Sequence, residues 1–462
     1  MIRHIRVIWK VSHMLHLGAA CLLLILSSAC AHYNIDDKPL SQWSPELEKD
    51  IGKMVAGDRS PELLVLVTFS GGGTRAASFA YGVLQELADN EVMTLNGSRP
   101  LLKEIDMISS VSGGSFTSAY YGLHGDRIFK DFEERFLRQD VQSQLLWRIA
   151  RPINWFRLAS SGYGKSDMAA DYYDKILFNG ATFADMLRPD APTVIINSTE
   201  LTTGSRVGFT LLFFDALCLD LKQYPVSRAV TASSAVPGLF SPITLENVAG
   251  SCGYKPPAWL AAALTDEAST NRKAQAQDIK EYLDREKRPW LFLVDGGVSD
   301  NLGLRSFYNL FELGGNLQNT LKSINHANVK DILIITVDSH TKPKTAWAHK
   351  RLNPSLLQVL GSVSAVQIGR YSRDTMEIVR NGFEKWTEEL SAAGHSVTFH
   401  FVEVSFAGVH NDDDRNRLEE IGTNFSLSDE QVDLLIASAR QVLRQSSTFQ
   451  DFLKVNSRQV RP

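Results

Sequence analysis

Cysteine is scarce in this chain, with four among 462 residues. No spacing of cysteine and histidine resembles a zinc site, so no metal is expected. An excess of one charge is lacking too. The formal net charge is −4 and the pI about 6.3, which excludes the basic surplus that a nucleic-acid backbone demands of its partner. Beyond the first thirty residues no apolar run approaches the ~20 residues of a spanning helix. No internal repeat or low-complexity tract is present. What remains is an ordinary globular composition, 44% hydrophobic and 22% charged, sufficient to bury a large core. One large domain with insertions on a single sheet fits this length.

The N-terminus departs from that composition. Arg3, Arg6 and Lys10 precede a largely apolar run over residues 15–26, followed by the small residues Ser27, Ser28 and Ala29. Residues 1–30 therefore read as a secretory signal, and an exported protein is expected, periplasmic or anchored as a lipoprotein of a bacterial envelope. Two cleavage points fit. One lies before Cys30, which acylation would turn into a lipid anchor, although Ser27 stands where a leucine is usual. The other follows Ala31, where Ala29 and Ala31 make a small-x-small pattern. Residues 31–60 read as a tether with a short helix. In an oxidising compartment Cys218 and Cys252 are candidates for a disulfide; two separate buried thiols are the alternative.

Residues 63–69 form a continuous apolar run of strand length, expected as a buried parallel strand. Ser70, Gly71, Gly72 and Gly73 turn the chain into a helical pattern over residues 76–87. A second strand is predicted over 105–109, again followed at once by a helix, from Ser112 to Tyr121. Further strand candidates are 193–196, 290–294, 332–337 and 397–404. Such alternation predicts an α/β fold with a mainly parallel or mixed sheet and helices on both faces. The core is placed at 61–310, with helical insertions at about 125–186 and 255–289, and residues 311–462 are expected to complete the same domain. Ser428 and Gln431 make a capping box before Val432, Leu435, Ile436, Ala439, Val442 and Leu443, which share one helical face and predict a docking helix.

Three short segments carry chemistry. Ser112 stands where an apolar strand meets a helix, flanked by Ser110 and Gly114. That is the pattern of a nucleophile elbow, with serine in place of the usual first glycine. The following helix aims amide N–H groups and its positive end at the site. The second segment, Gly71-Gly72-Gly73-Thr74-Arg75, also lies between a strand and a helix. Its glycines let backbone donors approach an oxyanion, while Arg75 either braces the loop or meets a phosphate. Gly71, Gly73 and Ala76 also satisfy a dinucleotide fingerprint, but the second strand ends in Ser109 and Ser110 where the ribose-binding acid is required. The third segment, Asp295-Gly296-Gly297, puts an acid at the end of a buried strand. Alone it reads as an Asp-Gly turn; with the other two it is a candidate general base that takes a serine proton without a histidine.

In residue type and order, Gly-Gly-Gly-Thr-Arg at 71–75, Ser-Val-Ser-Gly-Gly at 110–114 and Asp-Gly-Gly at 295–297 resemble the patatin-like phospholipases. Asn197-Ser198-Thr199-Glu200 with Thr203-Gly204 is similar to the family's Asn-x-Thr-acid stretch. Residues 233–240, Ser-Ser-Ala-Val-Pro-Gly-Leu-Phe, are similar to a Ser-x-Ala-x-Pro-Gly-Phe-type helix of that family. The resemblance spans about residues 63–305, and Ser110 and Ala76 depart from the glycines usual at those places. It implies a three-layer α/β/α sandwich, a Ser112–Asp295 dyad and an oxyanion hole drawn from Gly71, Gly72, Gly73 and Gly113. It implies further a phospholipid or other acyl-ester substrate cleaved through an acyl-enzyme, with neither metal nor organic cofactor.

Two other functional readings compete with this one. A serine hydrolase with a Ser-Asp-His triad would draw its histidine from His340, His400 or His410. A lipid-binding lipoprotein could keep the fold without turnover. Residues 145–158 interleave aromatic and basic side chains, a pattern suited to a membrane surface, a lid or packing on the core.

Overall fold

Leu63–Phe69 (β1) is buried along its whole length. In the computed structural model its alternate residues enter different cores. The structure describes residues 37–45, 57–95, 97–160, 162–265, 270–313, 317–341, 353, 355–392 and 394–457. Leu63, Val65, Val67 and Phe69 face the larger cluster, Leu64 and Leu66 the smaller one on the opposite face. A strand apolar at every position but Thr68 is what burial on both faces requires.

The other strands are β2 (Glu91–Thr94), β3 (Gly97–Pro100), β4 (Ile105–Val111), β5 (Thr193–Glu200), β6 (Arg206–Gly208), β7 (Ile243–Glu246), β8 (Trp290–Asp295), β9 (Asp331–Asp338) and β10 (Thr398–Ser405). β2 and β3 form a hairpin apart from the main sheet, whose order is β10-β9-β1-β4-β5-β8-β7, with β6 on β5. Pairing is parallel from β10 through β5 and antiparallel where β8 and β6 join β5 and where β7 joins β8. The sheet is thus mixed and mainly parallel.

Seven helices matter below: α1 (Thr74–Ala88), α2 (Gly113–His124), α3 (Val141–Ala150), α4 (Pro152–Leu158), α5 (Val226–Ser233), α6 (Leu356–Ala392) and α7 (Asp429–Gln445). α1, α2 and α7 pack into the larger cluster through Phe79, Phe116 and Leu435, among others. α6 covers the other face with Val379, Phe383, Trp386 and Leu390. The layers are therefore helix, sheet, helix, as expected for the α/β/α class. The predicted capping box of α7 is present, with reciprocal bonds between Ser428 and Gln431.

Both predicted insertions are helical, and the first is part of the core. Its Phe136 and Tyr173 pack on Phe116 of α2 with ring centroids 4.4 and 4.8 Å apart. One expectation is corrected: α5 ends at Ser233, so residues 233–240 are the exit turn of a helix and not a helix. Residues 1–36 and 46–56, and with them the expected signal, Cys30 and most of the tether, lie outside the described residues.

Cys218 and Cys252 are joined as a disulfide that closes 34 residues of chain. In the chain-entropy picture such a loop stabilises the fold by about 2–4 kcal/mol. The expected outcome is that unfolded protein takes up two further alkyl groups only after reduction, by mass spectrometry, and that reduced protein unfolds at lower denaturant. An unchanged mass contradicts the pairing.

Candidate active site

Neighbouring parallel strands place their C-terminal turns side by side. β1 leaves the sheet through Ser70–Gly73 into α1, and β4 leaves through Ser112 into α2. The two turns touch backbone to backbone: a β-carbon at Gly113 would sit 2.0 Å from the Gly73 carbonyl oxygen. Gly73 itself has φ 64° and presses against the Asn424 carbonyl. Any larger residue at either place would push the turns apart.

Ser112 has φ 48° and ψ −120°, a conformation costly for a residue with a side chain. Its amide donates to Ser233 Oγ at 2.8 Å, and that hydroxyl donates to the Asn197 carbonyl at 2.6 Å. These bonds hold the turn in place. The hydroxyl of Ser112 is not used to cap α2 and is turned instead to Asp295 Oδ2, 2.9 Å away. Ser110, in the place of the usual glycine, is buried and accepts from Ser118 Oγ at 2.6 Å, so the extra hydroxyl is satisfied.

Asp295 reaches this point because β8 runs against β5. In that register Asp295 lies opposite Ser198, one residue beyond the Asn197 that pairs with Val111. Its backbone is held by an N–H bond to the Ala235 carbonyl at 3.0 Å and by Thr199 Oγ1, which donates to its carbonyl at 2.9 Å. Oδ1 of its carboxylate accepts from the Gly297 amide at 2.8 Å. Burial raises its pKa from 3.8 to about 6, against the pull of the hydrogen bonds from Gly297 and Ser112; no cation among the described residues contributes. The carboxylate is thus more basic than an exposed one and already bonded to the serine it would deprotonate.

Among the described histidines none touches Ser112 or Asp295. His400 bonds Asp331 at 2.9 Å, at the start of β9 and so at the opposite end of the sheet. His326 is buried against Asp106, which also meets Arg59 and the Val65 amide where β4 enters the sheet. His340 follows β9, its amide on Asp338, and His410 lies in a loop before Asp412–Glu420. The geometry does not assemble the Ser-Asp-His alternative.

The N-termini of α1 and α2 converge beside Ser112, and neither has an acid in its first turn. The amides of Gly72, Gly73 and Gly113 donate to no acceptor among the described residues. Aligned, unsatisfied donors at two helix starts make a place for negative charge. Gly71 is removed from the expected set, because its amide donates to the Asn301 carbonyl at 3.0 Å. Arg75 is buried and donates to the Ile421 carbonyl at 2.7 Å, and burial lowers its pKa to about 10. It braces the glycine turn against the C-terminal part of the chain, the first of its two expected roles. The supporting parts played by Ser233, Asn197 and Thr199 were not read from the sequence, although all three lie in the blocks that resemble the family. Asn301 carried no signal at all.

A model of the patatin-like phospholipase family matches residues 67–308, more than half of the chain. No curated protein sequence matches. Among solved structures, human GIVD cytosolic phospholipase A2 is similar at 13% identity, with a TM-score of 0.42 and coverage of 90% of this chain and 68% of that one. The same enzyme in complex with methyl γ-linolenyl fluorophosphonate is similar at 13% identity, with a TM-score of 0.43, covering 91% and 66%. This chain thus spans about two thirds of their length.

A carboxyl group whose pKa is raised in the folded state binds its proton more tightly there than in the unfolded chain. Its ionisation therefore costs stability as pH rises from 3.8 through about 6. A shift of this size corresponds to roughly 2–3 kcal/mol. Asp295→Asn is expected to be more stable than the wild type by that order at pH 7, and the gap to close towards pH 4, measured by denaturant unfolding. A variant less stable at pH 7 contradicts the buried, uncompensated charge.

Proposed function

The chain belongs to the patatin-like phospholipase family, a family of lipid acyl hydrolases, and on that footing we propose that it cleaves carboxylic esters of lipids with Ser112 as nucleophile and Asp295 as base. The observation that carries this reading is the 2.9 Å bond from Ser112 Oγ to a buried carboxylate with raised basicity.

Asp295 accepts the hydroxyl proton as Ser112 Oγ attacks the acyl carbonyl, whose oxygen takes up the negative charge. The amides of Gly72, Gly73 and Gly113 hold that oxygen, each such donor being worth about 3 kcal/mol by removal. The intermediate collapses, the leaving alcohol takes the proton from Asp295, and the acyl group stays on Ser112. Water then gives its proton to Asp295 and attacks the acyl-enzyme; Ser112 Oγ leaves and recovers a proton, freeing the fatty acid. Nothing in this cycle requires a metal or an organic cofactor. Phospholipids and lysophospholipids are the substrate class that family membership supports. Export, free in the periplasm or through an acylated Cys30, belongs to the same proposal and rests on the basic, apolar and small residues of positions 1–30.

Expected outcomes concern two sets of variants and the pH profile. Ser112→Ala and Asp295→Ala lose about a thousandfold or more of ester turnover, whereas His340→Ala, His400→Ala and His410→Ala stay within a few-fold of the wild type. On its acid side kcat/KM falls through an apparent pKa near 6, because the protonated carboxyl cannot act as base. Full activity of Asp295→Ala at neutral pH overturns the dyad.

A further inference from the structure

The stretch that interleaves aromatic and basic residues is a helical hairpin. α3 anchors it through buried Val141 and Leu145, and α4 buries none of its seven residues although its sequence is Pro-Ile-Asn-Trp-Phe-Arg-Leu. Ile153 is 71% exposed and Trp155 59%, and Leu146, Trp147 and Phe156 are exposed as well. Five large apolar side chains crowded into eleven residues make a patch that water alone does not explain.

Polar bonds tie α4 to the end of α3. Trp155 Nε1 donates to the Ile149 carbonyl at 3.1 Å, and Asn154 Nδ2 to the Arg148 carbonyl at 2.7 Å, so α4 is fixed by the unsatisfied carbonyls at the end of α3. Three guanidinium groups lie on aromatic rings within or beside the hairpin: Arg151 on Trp147, Arg148 on Tyr172 and Arg157 on Tyr163. Exposed tryptophan and phenylalanine among stacked arginines suit the region where acyl chains meet phosphates.

The hairpin's start, and the helix that follows its end, are tied to segments bordering Ser112. At its start, Gln142 exchanges bonds with the backbone of Phe425; the adjacent Asn424 accepts from the Thr74 amide and presses on Gly73. Beyond its end, Ser166 bonds Ser241, which closes the turn that leaves Ser233. That turn exposes Leu239, and Val298, three residues past Asp295, is exposed too. Exposed apolar side chains thus stand on the hairpin and also on two segments flanking the site.

We propose that the α3–α4 hairpin is a bilayer-docking surface that seats its apolar side chains among the acyl chains and Arg148 and Arg151 on the phosphates, bringing the mouth of the Ser112 site onto lipid; Arg157 is held by Asp171 at 3.0 Å. This rests on the hydrolase reading for its purpose, but the docking itself is testable without turnover.

Hydrogen exchange of the full chain is followed with and without mixed phosphatidylcholine–phosphatidylglycerol vesicles. Initial rates are measured on the vesicle phospholipid and on a short water-soluble ester. Exchange over residues 141–158 is expected to slow on vesicles in the wild type and not in a Trp147→Asp, Trp155→Asp double variant. The variant's rate on vesicles is expected to fall by roughly tenfold or more, while its rate on the soluble ester changes by less than about twofold. Unchanged exchange of the hairpin on vesicles overturns the proposal, and so does an equal loss on both substrates or no loss on vesicles. Wild-type protein that cleaves neither ester defeats the hydrolase reading, and the exchange measurement still decides whether the hairpin docks.

Discussion

A carboxylate that is to take a proton from serine must be buried and must have no cation at its side, and much of this structure serves that condition. A guanidinium beside Asp295 would hold it ionised and weakly basic. Two arginines come near the site, and each is engaged elsewhere. Arg75 is bound to the Ile421 carbonyl, and Arg206 donates to Asn197 Oδ1 and Ser306 Oγ behind β5. Among the described residues, the only donors on the Asp295 carboxylate are the Ser112 hydroxyl and the Gly297 amide. In the proposed reaction the positive field comes from two helix N-termini, directed at the developing oxyanion and not at the base.

That division depends on a close backbone approach. Gly73 and Gly113 must lie against each other for both sets of amides to face one oxygen, and the strain at Ser112 is held by Ser233, which also bonds the backbone of β5. The turn after Ser233 holds Asp295 through the Ala235 carbonyl. The proposed nucleophile, base and anion donors are therefore coupled through a few short backbone contacts, and the hairpin that carries the exposed aromatics is bonded at its start to Phe425, next to the Asn424 that packs on Gly73.

What the sequence makes legible follows from local rules. The apolar runs of β1 and β4, the glycine-rich turns after them and the capping box of α7 depend on neighbours a few residues apart, and each occurs where the pattern places it. The pairing of Ser112 with Asp295 required the order of three motifs, since 183 residues separate them. Strand direction was not legible: a five-residue apolar run does not say whether β8 runs with or against β5, and the antiparallel choice is what delivers Asp295. The short strands β6 and β7 carry too little periodicity to stand out. Gly71 looked like its neighbours, and only the tertiary contact with Asn301 separates it from them. Residues 233–240 are expected as a helix only through their likeness to a block of the family, but α5 ends at Ser233 and Pro237 follows, and the residue before a proline avoids helical geometry.

The most direct test of the central claim is covalent labelling of the folded protein by a fluorophosphonate, mapped by peptide mass spectrometry, with Ser112→Ala and Asp295→Asn compared under the same conditions. An activated serine next to an unpaired buried carboxylate predicts phosphonylation of the peptide holding Ser112, none at that peptide in Ser112→Ala, and much slower labelling in Asp295→Asn. Labelling of Asp295→Asn at the wild-type rate, or no labelling of well-folded wild-type protein presented with vesicles, contradicts it.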